Sequence, residues 1–129
     1  RAARGDDARQ FPWGDTFDPW RCNTRDGGPH RPTPAAEYPD CVSPYGVLDL
    51  AGSVSEWCSD WYEEKYYTAS PAESPTGPET GTRRVTRGGD WMNGSSLVRV
   101  ASRLGIEPTW PGPMQGFRCA ADDRKADGK

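Results

Sequence analysis

Four cysteines, one histidine and a few closely spaced carboxylates are the residues of this 129-residue chain with chemistry to offer. Cys22, Cys41, Cys58 and Cys119 contain no C-x-x-C pair, and His30 stands alone. A zinc site of the usual ligand spacing is therefore not expected. Four cysteines allow three complete pairings, and free buried thiols are an equal alternative, so pairing and compartment both stay open. Asp49 and Glu56 flank Gly52; taken by themselves, Asp49 caps a turn and Glu56 is solvated. Glu63-Glu64 reads as a solvated face, and no Ser/His/Asp grouping stands out for nucleophilic or acid–base work. Arg83, Arg84 and Arg87 form the one basic cluster, read as a solvated strand face. Asn93-Gly-Ser95 is a formal glycosylation triplet of a kind that is common by chance.

The elements that must position these groups are short. Hydrophobic residues make up only 33% of the chain, but six Trp, five Tyr and three Phe supply large areas for burial. Fifteen Gly and thirteen Pro break helices and shape turns. One small domain is expected over residues 1–121, an aromatic core under irregular loops, followed by a charged flexible tail over 122–129. Val47, Leu48 and Leu50 predict a short strand ended by Gly52. Val54, Trp57 and Trp61 then follow a spacing that fits one or two helical turns. Residues 68–82 read as a solvated loop, 83–87 and 96–103 as strands, and 116–121 as a closing strand. Trp13, Trp57 and Trp61 are expected to fill the core. Sixteen basic against nineteen acidic residues give a net charge of −3, which argues against nucleic acid as a partner. No apolar run approaches the ~18 residues that cross a bilayer, so no membrane partner is expected.

Six segments in order carry a family resemblance: Phe11-Pro-Trp-Gly14, Ser43-Pro-Tyr-Gly-Val-Leu-Asp-Leu-Ala-Gly52, Glu56-Trp-Cys-Ser-Asp-Trp61, Arg84-Val-Thr-Arg-Gly-Gly-Asp-Trp91, Arg99-Val-Ala-Ser-Arg103 and Gly116-Phe-Arg-Cys119. Together they resemble the C-terminal half of the formylglycine-generating-enzyme (sulfatase-modifying-factor) domain. The resemblance implies an irregular α+β fold of the C-type lectin kind, with short twisted antiparallel strands and little regular structure. It also implies that the N-terminal half of the same domain is a partner of this one.

Active oxidases of that family hold copper(I) on two cysteines five residues apart, just after the Gly-Gly-x-aromatic motif. The resemblance puts Asn93 and Val98 at those positions, so no copper is expected and no catalytic residue is assigned. It further implies structural calcium at Asp49 and Glu56 through side chains and at Gly52 and Val54 through carbonyls, which suits an ion that takes six to eight hard oxygens. A second calcium set would be Asn23, Thr24, Asp26 and Gly28. Relatives without the reactive pair present the segment after Gly-Gly as a ligand surface, here Asp90, Trp91, Asn93, Ser95 and Trp110. The expected function is a ligand-binding or scaffold module for a protein, peptide or small ligand. One alternative is an oxygen-dependent oxidoreductase, of the formylglycine-generating or sulfoxide-synthase type, completed by residues outside this chain. Another is the variable ligand-binding protein of a diversity-generating retroelement.

Overall fold

The computed structural model describes residues 1–121; the expected tail over 122–129 lies outside the described residues. Among the described residues one sheet forms, of four strands, β1 (Ser55–Trp61), β2 (Arg84–Arg87), β3 (Leu104–Ile106) and β4 (Gln115–Gly116), in the order β3-β2-β1-β4. β1 pairs antiparallel with β2, and β2 with β3, but β4 joins β1 in parallel, so the sheet is mixed rather than antiparallel as expected. A 3-10 turn at Tyr66–Thr68 is the only helical element among the described residues, which removes the helical part of the α+β expectation.

The segment after Val54 is a strand, not a helix. A spacing of four, as between Trp57 and Trp61, returns to the same face in a strand as well as in a helix. Arg84–Arg87 supplies the pairing partner that decides between them, with Trp57 opposite Thr86 and Trp61 opposite Arg84. The strand expected at 47–50 shrinks to a single bridge, Val42 to Leu48. Ser43 ends it by accepting the amides of Tyr45 and Val47 on its hydroxyl, a turn that competes with extended chain. Asp49 follows with a left-handed φ of 57°. Residues 96–103 alternate like a strand and yet form turns. Leu97 N donates to Gly94 O, Ser102 N to Arg99 O, and the Ser96 carbonyl takes both Arg99 Nε and the Ser102 hydroxyl. The closing strand is only Gln115–Gly116, overlapping the expected 116–121 at a single residue.

The core is small. Phe11, Cys22, Cys41, Ala51 and Val98 form one buried cluster with Trp13, Phe17 and Tyr38 packed on its rim. Trp13 stacks on Phe11 at 5.5 Å, so its packing role holds. Trp57 and Trp61 are half-buried on the sheet and do not join that cluster. Trp61 carries the Arg84 guanidinium 3.5 Å from its ring centre. Arg103 lies over both Tyr62 and Tyr67, at 4.8 and 4.7 Å, while Arg83 lies over Tyr62 at 5.1 Å. Arg83 and Arg84 of the basic cluster thus tie the start of β2 to the end of β1 through cation–π contacts, and Arg103 adds two more from outside the cluster. Arg103 also donates to the carbonyls of Glu63 and Glu64, at 2.8 Å each, and so stitches loop to loop where no sheet does.

Candidate functional site

Asp49, Gly52, Val54 and Glu56 line one cleft of about 460 Å³, together with Thr33, Ala36, Leu48 and Phe117. The local chain makes this arrangement. Gly52, at φ 77°, turns the backbone so tightly that a Cβ there would run into the Asn23 carbonyl oxygen. That carbonyl accepts Ser53 N at 2.8 Å. Gly52 N in turn donates to Gly88 O at 2.8 Å, docking the turn against the Gly88-Gly89 corner.

The cleft thus brings two carboxylate residues, Asp49 and Glu56, to one side of the turn with Gly52 and Val54. Among the described residues no three side chains of His, Cys, Asp or Glu gather anywhere, so a metal in this cleft would have to draw on carbonyls. Asp49 Oδ2 accepts Ala36 N at 2.7 Å. Glu56 meets Arg118, which sequence reasoning missed because it lies 62 residues away. Arg118 Nε and Nη2 donate to the two Glu56 oxygens at 2.7 and 2.5 Å. Its Nη1 reaches Leu48 O at 2.9 Å and its Nη2 reaches Asp49 O at 3.1 Å. The hydrogen-bonded Glu56 carboxylate raises the Arg118 pKa further. With side chains 37% and 20% exposed, the pair contributes on the order of 1 kcal/mol after screening.

The second predicted set divides. Asn23 and Thr24 are fully buried, and Gly28 lies against the Asn23 amide and the Tyr38 hydroxyl. Asn23 Oδ1 and Thr24 Oγ1 have no hydrogen-bond partner despite burial. Asp26 points elsewhere: its Oδ2 accepts Ser95 N at 2.9 Å, which pins the loop after Gly-Gly.

That loop is braced from within. Asp90, only 5% exposed, accepts Met92 N on Oδ1 at 2.8 Å and receives the Ser55 hydroxyl on Oδ2 at 3.4 Å. Asp90 therefore faces inward and holds the turn instead of lying on the expected ligand surface. Asn93 Oδ1 accepts Asp90 N at 3.2 Å. Trp91 is half-buried, with an indole N–H that lacks a partner, while Met92 is 50% exposed. Trp110, 46% exposed, lines a separate cleft of about 190 Å³ with Arg83, Gly105, Ile106 and Glu107.

The two positions that the resemblance assigns to copper cysteines do meet in space. A Cβ on Gly89 would lie 2.8 Å from Val98 Cγ1 and 3.1 Å from Asn93 Oδ1. One side chain is a carboxamide committed to the turn and the other is a core valine with 0% exposure. Neither is a thiolate, so this pair does not fit copper(I). The actual cysteines lie elsewhere, and all four are free. Burial pushes the Cys22 thiol up to about 12 and the Cys41 thiol up to about 11, and it raises that of Cys58 as well. Cys22 and Cys41 are core packing thiols with little thiolate character at neutral pH.

A curled mixed sheet under long braced loops carries the cleft of Asp49 and Glu56 beside the Gly88-Gly89 corner. Two solved structures share the fold. "Treponema denticola variable protein 1" superposes with a TM-score of 0.76 at 24% identity, over 90% of this chain and 42% of that one. PvdO from Pseudomonas aeruginosa superposes with a TM-score of 0.74 at 27% identity, over 90% and 46%. Residues 1–123 match the family model for the sulfatase-modifying factor enzyme 1-like domain, and the chain belongs to that family. The formylglycine-generating enzyme of Streptomyces coelicolor is 41% identical over 138 residues, which cover 94% of this chain and 43% of that protein. The chain thus spans less than half the length of this relative.

Proposed function

We propose that this chain is part of a formylglycine-generating-enzyme-like domain that binds or scaffolds and does not oxidise cysteine, on a variant of the C-type lectin fold. The observation that carries this reading is the pair closing on Gly89. A carboxamide and a valine stand where the family oxidases need two soft thiolates. The surroundings support binding. The Trp91 indole N–H and Gln115 Oε1 are a donor and an acceptor without partners, and both lie by β1: Trp91 N bonds Ser53 O, and Gln115 pairs with Ser55. Buried unpaired groups cost about 1–3 kcal/mol each, so a ligand or water that satisfies them is favoured.

Calcium enters this reading as a pin for loops that no sheet orders, held by Asp49, Gly52, Val54 and Glu56. Asn23, Thr24 and Gly28 would hold a second ion. The unpaired Asn23 and Thr24 oxygens support that second site. Exposed aromatics, Trp20 at 83% and Phe117 at 78%, are surface that the other half of such a domain would cover.

The test combines turnover and binding. The chain, alone and mixed with a separately produced N-terminal half, is given copper(I), oxygen and a cysteine peptide, and is screened in parallel against a peptide and small-ligand array. No formylglycine together with selective array binding supports the proposal. Aldehyde formation would establish the oxidoreductase alternative, which the 41% identity to a protein named as a formylglycine-generating enzyme keeps in play. A folded chain that binds nothing would leave only a structural role.

A further inference from the structure

We infer that the outer edge of β3, with the cleft beside Trp110, binds a short extended peptide by strand addition, taking an apolar residue flanked by an acid and a base. This rests on the binding function proposed above and gives it a ligand class and a place. β3 is the last strand on its side of the sheet, and no further strand joins it among the described residues. The register decides which of its backbone groups are open. Tyr62 N donates to Arg83 O at 2.7 Å, so the Arg83 backbone faces β1. Alternation along β2 then turns Arg84 and Thr86 towards β3, where they meet Ile106 and Leu104. Gly105 stands opposite Val85 in the pair that exchanges no bonds, so its N–H and C=O point away from β2. Neither group takes part in a backbone hydrogen bond outside the ladder among the described residues. A donor and an acceptor side by side on an open edge are the complement of one residue of another strand.

Gly105 also lines the cleft of about 190 Å³ that Arg83, Ile106, Glu107 and Trp110 complete. Drug-sized ligands occupy about 300–1,000 Å³, so this space suits a single side chain. A turn brings Trp110 here, its N donating to Glu107 O at 3.0 Å. Gly112 packs on the ring, where a Cβ would run into it, and so backs the indole while leaving it 46% exposed. Arg83 and Glu107 oppose each other one step beyond the Arg84–Ile106 pair. Among the described residues neither belongs to an ion pair, and the Arg83 guanidinium rests on the Tyr62 ring instead. The cleft therefore carries one charge of each sign, which complements an acid and a base on either side of a bound apolar residue.

Amide-resolved NMR titration of the 129-residue chain tests this, with acetyl-Glu-Leu-Lys-methylamide and acetyl-Lys-Leu-Glu-methylamide as probes. The expected result is that at least one probe shifts the Gly105 amide and the Trp110 indole N–H together. Replacing the probe's Leu by Ala, methylating its Leu nitrogen, or introducing Trp110→Ala should each weaken binding about tenfold. The changes on the probe cannot unfold the protein, so they decide even where Trp110→Ala fails to melt cooperatively. Binding that survives methylation of the Leu nitrogen would overturn strand addition. Equal binding of acetyl-Ala-Leu-Ala-methylamide would overturn the charge pairing. Gly105 shifts that grow with protein concentration alone would assign the edge to a second copy of the chain and overturn the peptide. No shift with either probe at millimolar concentration would overturn the site, while selective binding in the ligand array would leave the binding function standing. Failure of both assays on a folded chain would overturn both.

Discussion

Gly52 and Gly46 make a matched pair for testing how the cleft is built. Both sit at left-handed φ, 77° and 75°. A Cβ on Gly46 would meet nothing within 4 Å, whereas one on Gly52 would collide with the Asn23 carbonyl and crowd Thr24 Cγ2 at 3.2 Å. Alanine at Gly46 should cost only the left-handed penalty, about 1–2 kcal/mol, partly offset by a less flexible unfolded chain. Alanine at Gly52 carries the same penalty plus overpacking of about 1–3 kcal/mol against backbone that cannot rotate away. It also strains the Ser53 N to Asn23 O bond. The expected difference between the two variants is about 2 kcal/mol, large beside a typical total of about 5–15 kcal/mol. Urea unfolding followed by tryptophan fluorescence reads it directly, as a shift in midpoint at constant slope. Costs equal within about 0.5 kcal/mol would mean that the 49–56 turn is not packed on Asn23, and the cleft geometry would fall with it.

Alkylation by iodoacetamide at pH 8 should label Cys119 quickly and Cys22 and Cys41 only at the rate of unfolding, as peptide mapping by mass would record. The raised thiols also set a pH dependence. Below pH 8 both are protonated whether folded or not. From their ordinary value of 9.0 upward the unfolded thiols ionise while the folded ones, near 12 and 11, do not. Stability should therefore fall as pH rises from 9 towards 11, and a Cys22→Ser, Cys41→Ser double variant should show a shallower alkaline slope, with a remainder from the raised Cys58 thiol, even if it is less stable throughout. Arg103→Gln removes two carbonyl contacts and two cation–π contacts. It should cost about 1–2 kcal/mol and raise amide exchange in 62–67 before the rest of the sheet opens. Asp26→Ala should loosen the 93–95 loop, seen as faster exchange at Ser95, with a loss of about 1 kcal/mol.

Much of the cleft was legible in the sequence because glycines and their neighbours leave few choices. Asp49, Gly52, Val54 and Glu56 do share one cleft, and the Gly88-Gly89 corner does hold Asn93 and Val98 together. The strand expected over 83–87 is present as Arg84–Arg87. The misreadings share a physical cause. At Trp57 and Trp61 the spacing is common to helix and strand, and only a distant partner, β2, breaks the tie. At 96–103 the alternation is real, but Ser96 and Ser102 bind backbone locally and win over pairing. Arg118 and Arg103 could not be found by spacing at all. Each acts through carbonyls far away in the chain, and carbonyls have no sequence signature.

The loop between the 3-10 turn and β2 shapes what the chain can become. Residues 71–76 are exposed throughout, while Gly77 returns to the body, its N–H on the Tyr66 hydroxyl at 3.1 Å. The backbone here is anchored just outside the exposed stretch and carries no core side chain. A cut at this point would leave two pieces still joined through the β1–β2 ladder and the Arg–Tyr contacts, so the halves should reassemble when expressed separately. The same seam is where a whole foreign domain could be spliced in without unseating the cleft.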